Sequence, residues 1–290
     1  YNIVHIHATT PLRALYLVAA RFAGVSVRIY HSHSAKIAGK SRLKKIVYAL
    51  GRFFILHNAT NYMSCSIEAS KWMFPKKIVD KQEDMVIPNG IDVQNFRFDD
   101  SIRKNIREKL GYSNSFVILQ VGRFSNQKNQ LFSLSVLKEM LKKRKNVKLI
   151  FLGDGDLKPL IEDKVRQEGL DDSVYFAGIQ KNVNTYLSGA DFFIMPSLYE
   201  GLPVSAVEAQ CAGLPTLLSD QISKETKLTD LVSFKSLAEK PVQWAEMILG
   251  EERIFDREKY FGLIAKEGYD MNMVANKMQI FYLKELESAK

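Results

Sequence analysis

The stretch YEGLPVSAVEAQCAGLP, Tyr199 to Pro215, places two carboxylates, Glu200 and Glu208, eight residues apart around a Gly-Leu-Pro. Pro203 suits the first turn of a helix, where its missing N–H would have had no partner. Backbone N–H groups around Gly201, Leu202 and Val204 are then left free to face an anion. Glu208 falls within the same helix, and carboxylates accept hydrogen bonds from hydroxyls. A second segment, VGRFSNQKN, sets Arg123 and Lys128 across a turn beginning at Gly122, with Asn129 behind them. A guanidinium grips a diphosphate through two donors and an ammonium adds a point charge. In a third, FLGDGDLKPL, Gly153 and Gly155 permit unusual dihedrals or the close approach of a ligand. Each segment alone also reads as an ordinary turn or solvated loop. Together they offer cations, helix amides and two carboxylate acceptors.

These residues need a frame that brings loops together. Strand candidates are NIVHIH (2–7), VRIY (27–30), NYMSCS (61–66), MVIP (85–88), FVILQVG (116–122), VKLIFLG (147–153), VYFAG (174–178), DFFIMP (191–196) and PTLLS (215–219). Helical patterns such as NQLFSLSVLKEMLKKR and LKPLIEDKVRQEG lie between them. Short apolar strands alternating with helices specify a parallel sheet covered on both faces, and ligands bind at the carboxyl ends of its strands. All three chemistry-bearing segments fall at such ends.

The sequence predicts two domains, divided in IPNGID (87–92), where Pro88 and Asn-Gly signal a turn. Residues 1–91 form a partial first domain and 92–270 a complete second one. The last stretch, 271–290, is a helix that could pack on the first domain. With only three or four strands before the boundary, two or three βα units are expected to be missing upstream.

The composition, 46% hydrophobic and 25% charged, is that of a globular protein. No apolar run reaches the roughly 18 residues of a spanning helix. Two cysteines in apolar stretches make no disulfide framework, so a cytoplasmic setting is expected. The net charge of +9 lies entirely at the front: Tyr1–Ile67 holds nine Lys and Arg and no acid. Residues 36–54 mix these cations with Ile, Val, Leu, Phe and Tyr, which reads either as a peripheral membrane element or as a solvated basic face. No RNA- or DNA-binding signature supports a nucleic-acid partner.

All five histidines precede residue 58. His5 and His7, and likewise His31 and His33, lie at i and i+2 on strands, so each pair shares a face and could chelate a metal. A metal hydrolase would need further ligands and a base downstream. No histidine follows His57, which counts against that reading.

Cations, helix amides and carboxylates are the complements of a nucleoside diphosphate sugar. YEGLPVSAVEAQCAGLP resembles the E-x7-E motif of retaining GT-B glycosyltransferases, family 4. IPNGIDVQNF, VGRFSNQKN, LIFLGDGDLKPLIE, VYFAGI and ADFFIMPSLYEGLP agree in order over roughly residues 1–285. The resemblance implies an α/β GT-B fold, with two Rossmann-like domains whose parallel sheets face a cleft, the first incomplete and lacking the family's glycine-rich loop. It implies that Glu208 holds the donor ribose and Glu200 the transferred sugar. Arg123 and Lys128 would grip the diphosphate, and the backbone from Gly201 through Leu202 and Pro203 to Val204, by its free amides, would contact sugar and phosphate. His31, then His33, stands in the place of the active-site histidine. The implied activity is retaining transfer from a nucleotide sugar, a UDP-sugar first, to a glycan or lipid-linked acceptor, with no metal or other cofactor. Rival readings are a non-catalytic GT-B subunit at a membrane surface, an epimerase and a phosphorylase. The last lacks a lysine context for pyridoxal phosphate.

Overall fold

The structure, a computed structural model, describes residues 1–34, 42–80, 86–251 and 256–289. It has the α/β architecture expected, with parallel sheets in two compact units. Tyr1–Gly90 and Met271–Lys290 form the first unit, and Ile91–Asp270 the second.

In the first unit, β1 (Ile3–Ala8), β2 (Val27–Ser32) and β3 (Asn61–Ser64) form a parallel sheet in the order β1-β2-β3. One face packs Ile6, Tyr30 and Ala8 against Leu17 of α1 (Ala14–Phe22), Ile55 of α2 (Arg42–Asn58) and Met73 of α3 (Ile67–Met73). The other face packs Val27, Ile29, Met63 and Ile87 against Val274, Met278, Phe281 and Tyr282 of the C-terminal helix, Met271–Ser288. That alternation of Ile6 and Ala8 with His5 and His7 is the period-two signature of a strand between unlike layers. A one-turn helix, α4 (Lys76–Val79), follows α3.

The MVIP expectation is corrected in part. Among the described residues only Val86 pairs, through one parallel bridge to Ser64, and Met85 lies outside them. The basic stretch 36–54 likewise straddles residues 35–41, which lie outside the described set, and α2 carries the remainder.

The second unit begins with α5 (Asp100–Leu110), capped by Asp99, whose side chain accepts from the amides of Ser101 and Ile102. Then come β4 (Phe116–Val121), α6 (Gln130–Lys143), β5 (Val147–Leu152), α7 (Lys158–Gln167), β6 (Val174–Gly178), α8 (Val183–Gly189), β7 (Phe192–Met195), α9 (Val204–Cys211) and β8 (Thr216–Ser219). β9 (Val232–Lys235), α10 (Pro241–Gly250) and α11 (Tyr260–Ile264) complete it. β9 was not foreseen. The sheet runs β6-β5-β4-β7-β8-β9, every pair parallel. This is the doubly wound order, which reverses between β4 and β7 and opens a crevice there at the carboxyl ends. Phe116, Ile118, Leu149 and Phe151 point to one face with Leu137 and Trp244, while Val117, Leu119, Ile150 and Phe193 point to the other with Leu187 and Ala206.

Candidate functional site

The loops after β4 and β7 meet at the switch point. Gln127 donates its side-chain amide to the Tyr199 carbonyl at 3.0 Å, and its own carbonyl accepts from the Leu198 amide at 2.8 Å. Asn129, at φ 54° and ψ 45°, starts α6 and donates to the Pro196 carbonyl at 3.1 Å. Gln130 donates to the Arg123 carbonyl at 3.0 Å, and Gln120 to that of Lys128 at 2.7 Å. These glutamines position the loop cations, and the sequence reading passed over them. The only sequence signal was the density of Asn and Gln in SNQKNQ after a strand.

The loop after β5 leans on the loop after β4 without room for a side chain. A Cβ at Gly153, φ 133°, would lie 2.2 Å from the Gly122 carbonyl oxygen. At Gly122 itself, φ 151°, a Cβ would lie 2.8 Å from Cε of Lys128. Gly155 adjoins the Phe124 backbone in the same layer.

Lys128 and Glu200, both largely buried, form an ion pair with Nζ 2.8 Å from Oε1. The contact lies off the hydrogen-bonding direction, since Oε1 is buried without an aligned donor. Arg123 instead reaches outward to Asp156 at 2.8 Å, both side chains mostly exposed. A surface pair of that kind contributes about 0–1 kcal/mol and exchanges partners readily. The structure thus brings Arg123 and Lys128 onto one loop, each facing a carboxylate.

Pro203 precedes α9 in extended conformation, and no side chain caps the helix. The amides of Val204 and Ser205 come before its first intrahelical acceptor and point out of its N-terminus. Leu202 and Pro203 are buried, with Gly201 and Val204 half-exposed beside them. Glu208, one turn further, is half-buried, and no side-chain or backbone partner meets its carboxylate among the described residues. Burial pushes its carboxyl up to about 7. Burial, then Glu208, Asp92 and Asp270, push the neighbouring Cys211 thiol up to about 12, which keeps it an inert thiol. An unpaired carboxylate is expensive to bury, which makes Glu208 a candidate site residue.

A concavity of about 680 Å³ lies at the opposite ends of β4 and β7. Its charges are committed: Arg103 and Arg107 bind Asp191, and Arg257 donates to the carbonyls of Leu187, Ala190 and Ala212. Asp191 also accepts from the Val117 amide at 2.7 Å. That network is a scaffold for the strand ends.

In the first unit the parallel register sets His7 beside His31, and the two pairs merge into one cluster. Ring centroids are 4.1 Å apart for His5–His7, 4.9 Å for His7–His31 and 4.2 Å for His31–His33. His31 is 3% exposed, and neither ring nitrogen has an aligned partner, although the Ile87 backbone comes near. Burial, then His33, His5 and His7, drive its pKa down to about 2. Burial and the neighbouring imidazoles lower His5 to about 4. His7 and His33 are lowered as well, chiefly by burial. The spacing of each pair was legible; their union across strands was not.

Residues 102–230 match the family model described as Glycosyl transferases group 1. The chain is 34% identical over 250 residues, 84% of its length, to EpsF of Bacillus subtilis (strain 168), a protein named as a glycosyltransferase. It is 31% identical over 227 residues, 76% of its length, to the UDP-Gal:alpha-D-GlcNAc-diphosphoundecaprenol alpha-1,3-galactosyltransferase of Escherichia coli. It spans 64% and 58% of the lengths of those two relatives. Among solved structures, Anabaena Alr3699/HepE in complex with UDP-glucose superposes with a TM-score of 0.77 at 17% identity, over 98% of this chain and 79% of that one. That likeness speaks for the shared fold.

Proposed function

We propose that this chain, with its Glycosyl transferases group 1 segment, is a glycosyltransferase that moves a sugar from a UDP-sugar to an acceptor hydroxyl with retention of configuration. The observation that carries this is the convergence of Lys128, Glu200, the free amides of α9 and the unpaired Glu208 at one sheet switch point. In this reading Glu208 takes the ribose hydroxyls and Glu200 the transferred sugar. Arg123 and Lys128 hold the diphosphate, with amides from Gly201 to Val204. Gly122, Gly153 and Gly155 keep the backbone low enough for its approach, and Asn129 fixes the loop. His31, with both ring nitrogens unpartnered, orients a sugar hydroxyl or shapes the acceptor site together with His33.

Charge develops on the leaving diphosphate in the transition state. Fixed cations and amides aimed at that charge stabilise it without calling on a metal. The ammonium of Lys128 turns from Glu200 toward phosphate oxygen, which frees Glu200 to accept from a sugar hydroxyl. With the donor's own diphosphate as the base, the acceptor hydroxyl attacks from the face the leaving group vacates, and configuration is retained.

The UDP named for the Escherichia coli relative and for the Anabaena complex supports a uridine donor. The diphosphoundecaprenol glycan of the former and the capsular polysaccharide biosynthesis of CapH from Staphylococcus aureus, 25% identical over 98% of this chain, support a glycan or lipid-linked acceptor. No helix among the described residues is long and apolar enough to cross a membrane. Ile46, Leu50, Phe53 and Phe54 nonetheless form an exposed stripe along α2 at helical spacing. We place that stripe, with the basic charge around it, against the cytoplasmic face of an anionic membrane.

The test is thermal unfolding with UDP, GDP, ADP and CMP, on the chain and on Glu208→Ala. A ligand at 100 times its Kd stabilises by about 2.7 kcal/mol. A rise with UDP that Glu208→Ala abolishes is expected; a rise with no nucleotide, or one that survives the substitution, overturns the assignment.

A further inference from the structure

We propose that His5, His7 and His31 form a three-imidazole site for a divalent transition-metal ion of the zinc class. Four imidazoles crowd one face of the β1–β2 pair because the register sets His7 beside His31 and the strand period sets His5 beside His7. One donor atom from each of His5, His7 and His31 lies within 4.8 Å of the others. A tetrahedral zinc site needs metal–nitrogen distances of about 2.0–2.1 Å, and His5, stacked on His7 and His31 at interplanar angles of 20° and 18°, must turn out of the stack to bring the in-plane nitrogens onto one point.

The hydrogen bonds already divide the ring atoms as a metal site divides them. Nδ1 of His5 meets the Tyr282 hydroxyl of the C-terminal helix at 2.6 Å, and Nδ1 of His7 meets Nε2 of His33 at 2.9 Å. Both contacts occupy Nδ1 and leave Nε2 as the available donor atom, and a partner on the other nitrogen is the usual way a ligating imidazole is oriented. Nε2 of His5 and both nitrogens of His31 are buried with no aligned partner. A buried polar atom left unpaired is costly and calls for an explanation. A shared cation answers Nε2 of His5 and one nitrogen of His31 together. Imidazole donors without carboxylates favour zinc, nickel, cobalt or copper over magnesium or calcium.

Three protein ligands leave a fourth position open for water or for a ligand hydroxyl. One nitrogen of His31 on the metal leaves its other nitrogen free. Every residue of the site belongs to the first unit and the diphosphate chemistry proposed above uses none of them; His31 alone is shared with the transferase reading, and the metal titration is read without nucleotide or acceptor.

The experiment uses the full chain without a histidine tag, stripped with EDTA, desalted and titrated with Co²⁺. The visible band is then bleached by competing Zn²⁺. One equivalent per chain is expected, with the absorption of a four- or five-coordinate ion. His7→Ala removes an exposed ligand and leaves the fold intact; it should weaken binding about 100-fold, at the upper end of what loss of a supporting partner does. His31→Gln should do the same. His57→Ala, on α2 and bonded to the Phe53 carbonyl, should bind as the parent does. Absence of the band, equal affinity in His7→Ala, or equal weakening in His57→Ala overturns the site.

Discussion

Nζ of Lys128 lies 2.8 Å from Oε1 of Glu200, across 72 residues of chain, and both side chains are largely withdrawn from water. Removing one partner of such a pair strands the other charge, at a cost of about 3–5 kcal/mol. Lys128→Met should therefore destabilise the chain strongly. Lys128→Met with Glu200→Gln should restore a good part of the loss, because no ion remains uncompensated. Urea denaturation of the two singles and the double closes the cycle. Additive effects would mean that the contact carries no coupling.

Glu208 couples binding to stability with opposite signs. Its folded pKa of about 7 lies above the usual 4.5, so the native state holds the proton longer than the unfolded chain does. Stability is then full below pH 4.5 and declines as pH rises toward 7, with the whole penalty present above it. Glu208→Gln removes that penalty. Its stability should match the parent's at pH 5 and exceed it at pH 8 by at most about 3 kcal/mol, less after solvent screening. The same variant should lose its response to UDP. Melting curves at both pH values, with and without nucleotide, separate the two effects.

Gly153→Ala should cost about 3 kcal/mol or more, because both the dihedral and the 2.2 Å approach to the Gly122 carbonyl forbid a methyl group. Gly169→Ala is the control. Its φ of 62° is also left-handed but nothing lies within 4 Å, so strain alone, about 1–2 kcal/mol, should appear. Equal losses at the two sites would show that crowding at Gly153 is relieved by movement of the loop.

Asp191→Asn should lower the melting temperature by weakening the anchor shared by Arg103, Arg107 and the Val117 amide. The rise that UDP produces should persist undiminished, since this network sits at the far ends of the strands from Lys128. A lost nucleotide response in a folded Asp191→Asn chain would move the binding site to the 680 Å³ concavity.

Leu50→Glu with Phe53→Glu should abolish co-sedimentation with phosphatidylglycerol vesicles while leaving the melting temperature within about 1–2 °C of the parent, as surface substitutions do. Unchanged sedimentation would remove α2 from the membrane contact.

Most strands of the second unit were legible because each is a short apolar run bounded by turn residues, as at FVILQVG and VKLIFLG. β9 escaped because Val232–Lys235 is four residues at the sheet edge, with one fully buried position and no alternation to reveal it. MVIP looked like a strand because its residues are apolar, yet Ile87 serves the packing of the C-terminal helix and only Val86 pairs. Glu208 and Glu200 announced themselves by spacing around a helix start. The pairing of Lys128 with Glu200, the stitching by Gln127 and the meeting of His7 with His31 depend on which strands become neighbours. Local periodicity carries no information on that.

The chain leaves the first unit at Gly90 and returns to it at Met271, and between those points the Ile91 amide donates to the Tyr269 carbonyl at 2.8 Å. Both ends of the second unit therefore close on each other. Vectorial synthesis then imposes an order of maturation on the ribosome. The inserted unit has all of its residues as soon as Asp270 emerges, whereas the first sheet waits for the C-terminal helix that covers Val27, Ile29 and Met63. The histidine face, which borrows Tyr282 from that helix, is therefore assembled after the inserted unit, and a chain cut within Met271–Ser288 would carry a finished second unit and an unfinished first one.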